Sequence, residues 1–356
     1  MKQRYRSFAL RILLSLAACV FSLILAEWAL RHRFRDTAYI PGAQILLIQS
    51  WLQLHPEIGF AWKPNIDYDD DIMLGWADQE VELAIVSTDS NGFLNHPEAI
   101  ASLERGDPID IIGLGDSFMQ GAAYPYAEHF AGAGLSYYNL AIQRQAPPQY
   151  NLILDRYAVP LKPRLIVYGI FSNDFTETID FETWQESGLD WFTYHSGTWC
   201  GPPVAESVMG YRLRRLFRGF YAAYRGYRAQ RSTTTITSPD ETFDLEDAVR
   251  RVVAYTQHAY TMCRNEDIAF LVLLIPSKRS VLQIDPFEEG AYTQLVQACQ
   301  ASNIPIVNLR SHFTSHPEPA RLYNQIDDHW NIAGMLHAAQ VIDAFWHEHI
   351  VGGPGQ

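Results

Sequence analysis

The chain has 356 residues, of which 48% are hydrophobic and 19% are charged. This composition is typical of a globular protein and not of a disordered one. The length allows one large α/β domain together with an attachment segment and an insertion. The formal net charge of -13 argues against nucleic-acid binding, because a surface that follows a phosphate backbone needs clustered Lys and Arg.

The N-terminus combines a basic head with a long apolar run. The run covers residues 8–30, about the length of helix that crosses a bilayer, and Arg11 and Trp28 suit its ends. We therefore predict a transmembrane helix over 8–30. Arg31, Arg33 and Arg35 follow the span and partly balance the basic head, so the positive-inside rule only weakly favours an N-terminus inside. We expect the chain after this span to be exported across the membrane.

Two other readings of the N-terminus stay open. A cleaved signal peptide needs a shorter apolar core and a small-x-small cleavage site, and neither is clean here. Residues 16–19 resemble a lipoprotein cleavage box ending in Cys19, but apolar residues continue where a polar tether is expected. The three later cysteines, Cys200, Cys263 and Cys299, have no metal-like spacing and allow at most one disulfide.

Three parts follow the predicted span. Residues 36–105 show turn chemistry around one strand-like piece, 81–87, and predict a loop-rich N-terminal lobe. Residues 106–350 alternate short apolar runs with helical segments and predict the main domain. Within it, residues 175–240 form a long insertion, for which we expect some helix because a structureless loop of that length is unusual.

The main domain is predicted to be an α/β three-layer sandwich with a flavodoxin-like, five-stranded parallel sheet. Short apolar runs separated by helices indicate parallel strands covered on both faces. Right-handed crossovers then give a doubly wound sheet. The predicted strands are 109–114, 137–142, 165–171, 269–275 and 304–309. The predicted helices are 120–131, 147–158, 242–264, 286–301 and 332–348.

A Gly-Asp-Ser turn follows the first predicted strand of this sheet. Ser117 is thereby placed at the carboxyl end of a parallel strand, where doubly wound sheets bind ligands. A following helix offers N–H groups to developing negative charge. The alternative interpretation without a catalytic role is an Asp/Ser helix cap. Ser117 can act as a nucleophile only if a base accepts its proton.

A candidate base lies in the loop after the last predicted strand. His329 is at the same edge of the sheet in this topology and can serve as general base and then as general acid. Asp327, two residues earlier, is the candidate for orienting the imidazole, and Asp328 is its competitor. At the end of the third strand, Asn173 can direct a side-chain N–H at an oxyanion.

These motifs together resemble the SGNH/GDSL hydrolase superfamily over residues 105–348. The matching blocks are Gly115, Asp116, Ser117 and Gly121, then Asn173 and Asp174, then the run 327–330. The last block has the Asp-x-His-Trp form of a membrane-anchored bacterial branch that includes alginate acetyltransferase-like proteins. The resemblance implies a domain on the outer side of a bacterial inner membrane, held by a single span.

The chain departs from the family pattern at three glycine positions in two blocks. Arg144 and Ala146 stand where the second block usually has glycines, and Phe171 stands where the third block has one. The predicted oxyanion hole consists of Ser117, Arg144 and Asn173. Arg144 can donate its backbone N–H only if its dihedral angles suit a residue with a Cβ. We expect its side chain to lie at the pocket rim and to favour an acidic or phosphate-bearing substrate.

The function expected from these residues is serine-dependent acyl-ester hydrolysis through a covalent acyl-enzyme, with Ser117, His329 and Asp327 as the triad. Neither a metal nor a cofactor is expected. The expected partners are an ester or acylated-glycan substrate and the membrane, not nucleic acid. Two alternatives remain: an O-acetyltransferase that modifies an envelope polysaccharide, and a non-catalytic binding or assembly protein.

Overall fold

The computed structural model describes residues 14–26, 28, 52–68, 86–195, 244–324 and 328–352. Several predictions fall outside these ranges: Asp327, Cys200, most of the strand-like piece 81–87 and most of the insertion, residues 196–243. Residues 14–26 are helical and carry exposed apolar side chains. The membrane span predicted over 8–30 is not confirmed, since no helix within the described ranges is both long and apolar enough to cross a bilayer.

The described part of the N-terminal lobe, residues 52–68 and 86–105, contains two small antiparallel sheets and one helix. They are β1 (Leu52–His55) paired with β2 (Gly59–Trp62), then β3 (Asp67–Tyr68), β4 (Val86–Thr88) and β5 (Leu94–Asn95), followed by α1 (Pro97–Glu104). Phe60 and Trp62 of β2 are completely buried and pack into the same apolar core as the strands of the main sheet. The lobe therefore shares its core with the main domain.

The main sheet has five parallel strands. They are β6 (Ile111–Leu114), β7 (Tyr137–Asn139), β8 (Leu165–Ile170), β9 (Ala269–Leu274) and β10 (Ile306–Asn308). Their order across the sheet is β10-β9-β8-β6-β7. From β6 the chain first adds β7 on one side and then adds β8, β9 and β10 on the other side, so the strand order reverses between β6 and β8. This is the flavodoxin-like order, and ligands bind such sheets at the carboxyl ends of the strands beside that reversal. The predicted parallel sheet is confirmed.

Helices cover both faces of this sheet. In chain order they are α2 (Ser117–Gly121), α3 (Ala123–Gly132), α4 (Pro147–Ile153), α5 (Asp174–Ser187), α6 (Trp191–Tyr194), α7 (Leu245–Asn265), α8 (Lys278–Leu282), α9 (Pro286–Ala301), α10 (Leu309–Thr314) and α11 (Ile332–Trp346). Side chains alternate along β8, so that Ile166 and Tyr168 join one core while Leu165 and Val167 join the other. Burial on both faces explains the continuous apolar runs of the sequence.

The predicted elements are found, with shorter strands and additional helices. The run 137–142 forms a strand only over Tyr137–Asn139, because the chain then turns into the loop before α4. Helix α5 opens the predicted insertion, and the short helices α8 and α10 were not predicted. Cys263 and Cys299 are free and buried, and burial raises the pKa of each thiol to about 12.

The turn at residues 89–93 holds β4, β5 and β2 together. The Asp89 side chain accepts hydrogen bonds from the backbone N–H groups of Asn91 and Phe93. Gly92 has a φ of +88°, and a Cβ there would lie 2.2 Å from the carbonyl oxygen of Trp62. Only glycine therefore fits this position without moving β2.

We expect Gly92→Ala to destabilise the fold more than the matched change Gly134→Ala. Gly134 also has a positive φ, +75°, but a Cβ there meets nothing within 4 Å. Gly134→Ala should cost about 1 kcal/mol for its backbone conformation alone. Gly92→Ala should cost roughly 1–3 kcal/mol more because of the overlap with Trp62. Urea unfolding measures both, and equal costs would contradict the close approach seen at Gly92.

Candidate active site

Ser117 is held at the start of α2 by a tight turn after β6. Gly115 has a φ of +153°, and a Cβ there would lie 2.5 Å from the Cγ of Met119, so glycine is required. Asp116 caps the helix by accepting the Phe118 N–H at 2.9 Å. Burial raises the pKa of Asp116, and the neighbouring His329 opposes that rise.

Ser117 and His329 are in contact, although 212 residues separate them. The distance from Ser117 Oγ to His329 Nε2 is 2.8 Å, which is a hydrogen-bond distance. A nucleophile and its general base need this arrangement, with the ring proton on Nδ1 and the Nε2 lone pair facing the hydroxyl. The parallel sheet brings the two loops to the same edge, as the sequence predicts.

The loop that carries His329 is fastened to the helix that carries Ser117. Trp330 is completely buried, and its indole N–H donates to the carbonyl oxygen of Phe118 at 3.2 Å. The Phe118 ring stacks on the His329 ring, with 4.5 Å between ring centroids, and Phe171 packs on Phe118 at 4.2 Å. Phe171 thus adds to the support of the histidine.

The acid that orients His329 is not assigned by these contacts. Asp327 lies outside the described residues. Asp328 is described and exposed. The backbone of the histidine is fixed independently of either acid, because its carbonyl oxygen accepts the Asn324 N–H at 2.9 Å.

Arg144 adopts a left-handed backbone conformation, which glycine adopts far more readily than a residue with a Cβ. Its φ is 58°, which costs a residue with a Cβ roughly 1–2 kcal/mol. The Arg144 side chain is 42% exposed, and its Nε lies 3.9 Å from Oε1 of Glu177.

Asn173 and Arg144 meet through Glu177, which the sequence did not reveal as part of the site. Glu177 lies one helical turn after Asn173, and its Oε2 accepts from the Asn173 Nδ2 at 3.0 Å. The amide has two hydrogens, and the Asn173 side chain also hydrogen bonds to the Asp116 carboxyl, which opposes the rise in its pKa caused by burial. Burial raises the pKa of Glu177 to about 8, Arg144 opposes the rise and Asp116 adds to it.

The N-terminal lobe supports the loop that carries Arg144. Gln120 Oε1 accepts from the Trp62 indole N–H at 3.1 Å and from the Gln143 backbone N–H at 2.9 Å. Nearby, Gln145 and Gln149 donate their side-chain N–H groups to the carbonyl oxygens of Phe60 and Ile58. The only sequence signal for this support is the glutamine-rich run 143–149.

No group of His, Cys, Asp and Glu side chains suited to a metal ion occurs in the described ranges. The candidate site contains a hydroxyl, an imidazole, amides and carboxyl groups. This set of groups suits acyl transfer with proton movement between Ser117 and His329.

Comparisons with known proteins give only remote structural likenesses. No protein-family model and no curated protein matches the sequence. A GDSL-like lipase from Bacteroides thetaiotaomicron is similar at 11% identity and a TM-score of 0.41, covering 70% of this chain and 98% of its own. A lipase/acylhydrolase from Enterococcus faecalis is similar at 11% identity and a TM-score of 0.39, and the match covers 67% of this chain and 96% of that one. An acetylxylan esterase from Geobacillus stearothermophilus, solved as a catalytic mutant, is similar at 10% identity and a TM-score of 0.38. The match covers 67% of this chain and 93% of that one.

We expect Gln120→Met to destabilise the protein, because methionine fills the space but cannot accept the two hydrogen bonds. Each buried donor left without its acceptor should cost roughly 1–3 kcal/mol. The matched control is Gln257→Met, at an exposed position where the side chain donates only to Ser302 Oγ. Urea unfolding of the two variants should differ clearly, and similar costs would refute the supporting role of Gln120.

Proposed function

We propose that the chain is a serine-dependent acyl-ester hydrolase with Ser117 as nucleophile and His329 as general base. The observation that carries this proposal is the 2.8 Å contact between Ser117 Oγ and His329 Nε2 at the carboxyl edge of the sheet. The stacking of Phe118 on His329 and the anchoring of Trp330 support it, because catalysis needs the base held in place.

The proposed reaction proceeds in two halves. His329 Nε2 takes the proton of Ser117 as Oγ attacks the ester carbonyl, and then gives that proton to the leaving alcohol. Water, activated by the same nitrogen, next releases the acid and restores the Ser117 hydroxyl. The negative charge on the former carbonyl oxygen would be stabilised by the backbone N–H groups of Ser117 and Arg144 and by the Asn173 amide. Asp327 is proposed to orient His329.

An O-acetyltransferase that modifies an envelope polysaccharide is the second candidate. It would form the same acyl-enzyme on Ser117 and pass the acyl group to a sugar hydroxyl instead of water. The observation that favours it is the Asp-x-His-Trp form of the base loop, in which Trp330 is the residue that fastens the loop to α2. If a glycan acceptor speeds acyl release and becomes acetylated, the chain is a transferase and not a hydrolase.

A non-catalytic binding protein is the third candidate, motivated by the replaced glycines at Arg144 and Phe171. The left-handed conformation of Arg144 removes one reason for it, since glycine is the residue that this conformation favours. An intact protein that does not react with a fluorophosphonate at Ser117 would favour this candidate.

Ser117→Ala and His329→Ala should each lower kcat/KM for p-nitrophenyl acetate by at least about a thousandfold, because loss of either removes the nucleophile and base unit. Urea unfolding should show that both variants remain folded. Undiminished turnover in either folded variant would rule out the proposed pair.

The same ester-hydrolysis assay identifies which carboxylate orients His329. Asp327→Asn should lower kcat more than Asp328→Asn, since only the residue that holds the imidazole contributes to the rate. The reverse order would give the orienting role to Asp328.

Arg144 is proposed to favour anionic esters, and Glu177 to limit that preference at high pH. Below the Glu177 pKa of about 8 the carboxyl is neutral and adds no negative charge beside Arg144. Above it, the carboxylate pairs with Arg144, and the preference should fall. The kcat/KM ratio of an anionic to a neutral ester should drop roughly fivefold, the value of an interaction of about 1 kcal/mol.

The ratio cancels pH effects that both esters share, including the titration of His329. Arg144→Ala should give the low ratio at every pH, whereas Glu177→Gln should keep the high ratio above pH 8. Arg156→Ala is the control, because this exposed arginine pairs with Glu57 away from Ser117. A ratio that is the same in wild type and Arg144→Ala would contradict the proposed role of Arg144.

A further inference from the structure

A chain of three buried oxygens joins the loop of Arg144 to the loop of Asn173. The hydroxyl oxygen of Tyr150 lies 2.7 Å from the carbonyl oxygen of Gln145, which follows Arg144. The same oxygen lies 2.8 Å from Oδ1 of Asp174, which follows Asn173. Tyr150, Asp174 and Gln145 are all completely buried. Both distances are those of hydrogen bonds between oxygens.

Two hydrogen bonds between three oxygens need two hydrogens, and tyrosine supplies only one. The Gln145 carbonyl has none to give, so Tyr150 donates to it. The second hydrogen must then belong to Asp174, which donates to the Tyr150 oxygen. Without that hydrogen, two oxygen lone pairs would face each other inside the protein, which is unfavourable. The geometry therefore favours a neutral Asp174, with which both hydrogen bonds are complete.

The surroundings of Asp174 agree with a neutral carboxyl. Its Oδ2 accepts the Phe171 N–H at 2.9 Å, and no ion pair to Asp174 occurs in the described ranges. Burial and the nearby Asp116 and Glu177 carboxyl groups raise the pKa of Asp174. The other titratable groups that face it are tyrosines from three different elements: Tyr150, Tyr168 and Tyr292.

We propose that Tyr150 and a protonated Asp174 are positioning residues that fix the two loops of the oxyanion hole relative to each other. The proposal rests on the proposed function, since the hole is assigned to Arg144 and Asn173. Neither side chain is needed to touch the substrate. Asp174 also closes the turn that presents Asn173, through its contacts with both the N–H and the carbonyl group of Phe171.

The protonation state is tested by the pH dependence of stability, without any measurement of activity. A group that keeps its proton in the folded protein and loses it on unfolding makes unfolding tenfold easier for each pH unit above its unfolded pKa of about 4. Asp174→Asn has the same shape and can make both hydrogen bonds without a titrating proton. The ratio of the unfolding constants of the full-length wild type and Asp174→Asn should therefore rise about tenfold per unit between pH 5 and 7.

A constant ratio over that range would overturn the proposal, because it would mean that Asp174 is ionised in both states. A second measurement needs no variant. Infrared spectra of protein with ¹³C-labelled aspartate carboxyls should show a shifted band of a protonated carboxyl at pH 7. Absence of that band would also refute a neutral Asp174, even if Asp174→Asn failed to fold.

The positioning role is tested by kinetics. Tyr150→Phe and Asp174→Ala should lower kcat for p-nitrophenyl acetate by roughly 10- to 100-fold with little change in KM, and Asp174→Asn should restore most of that loss. Tyr138→Phe is the matched control, because this buried tyrosine is also hydrogen-bonded to an aspartate, Asp89, but joins no oxyanion loop.

The outcomes separate this proposal from the proposed function. Full kcat in folded Tyr150→Phe would overturn the positioning role while leaving ester hydrolysis intact. Absence of ester turnover in the wild type would overturn the proposed function, whereas the stability ratio and the infrared band would still decide the protonation of Asp174.

Discussion

The contact between Ser117 Oγ and His329 Nε2 depends on the parallel order of the main sheet. Parallel strands end at one edge, so the turn after β6 and the loop before α11 meet there although they are far apart in the chain. Trp330 then limits how far the histidine loop can move, by a hydrogen bond to the helix that begins at Ser117. The sheet supplies proximity, and the buried indole supplies orientation.

The remaining loops of the site are held by polar groups buried among apolar ones. Gln120 joins the lobe strand β2 to the loop of Arg144, and Tyr150 joins that loop to the turn at Asn173. Such groups are costly to bury unless each hydrogen bond is made, so they specify one arrangement of the loops. The strained backbone of Arg144 is kept by this surrounding network.

Sequence patterns predict the sheet and the Ser117 and His329 pair because both have local signals. Buried parallel strands appear as continuous apolar runs, and the two motifs follow strand ends. The helices α8 and α10 are too short for a clear helical period, although Ser277 and Asn308 cap them. Glu177 and Tyr150 give no local signal, since their roles arise from partners in other elements or from burial. The acid of the triad stays a prediction, because Asp327 lies outside the described residues.

A covalent acyl-enzyme on Ser117 can be detected directly by mass spectrometry of the intact protein quenched in acid during reaction with p-nitrophenyl acetate. We expect one added acetyl group, which peptide mapping places on Ser117 and which is absent from Ser117→Ala. Ester consumption by the wild type with Ser117 unmodified, or equal acetylation of Ser117→Ala, would show that Ser117 is not the nucleophile.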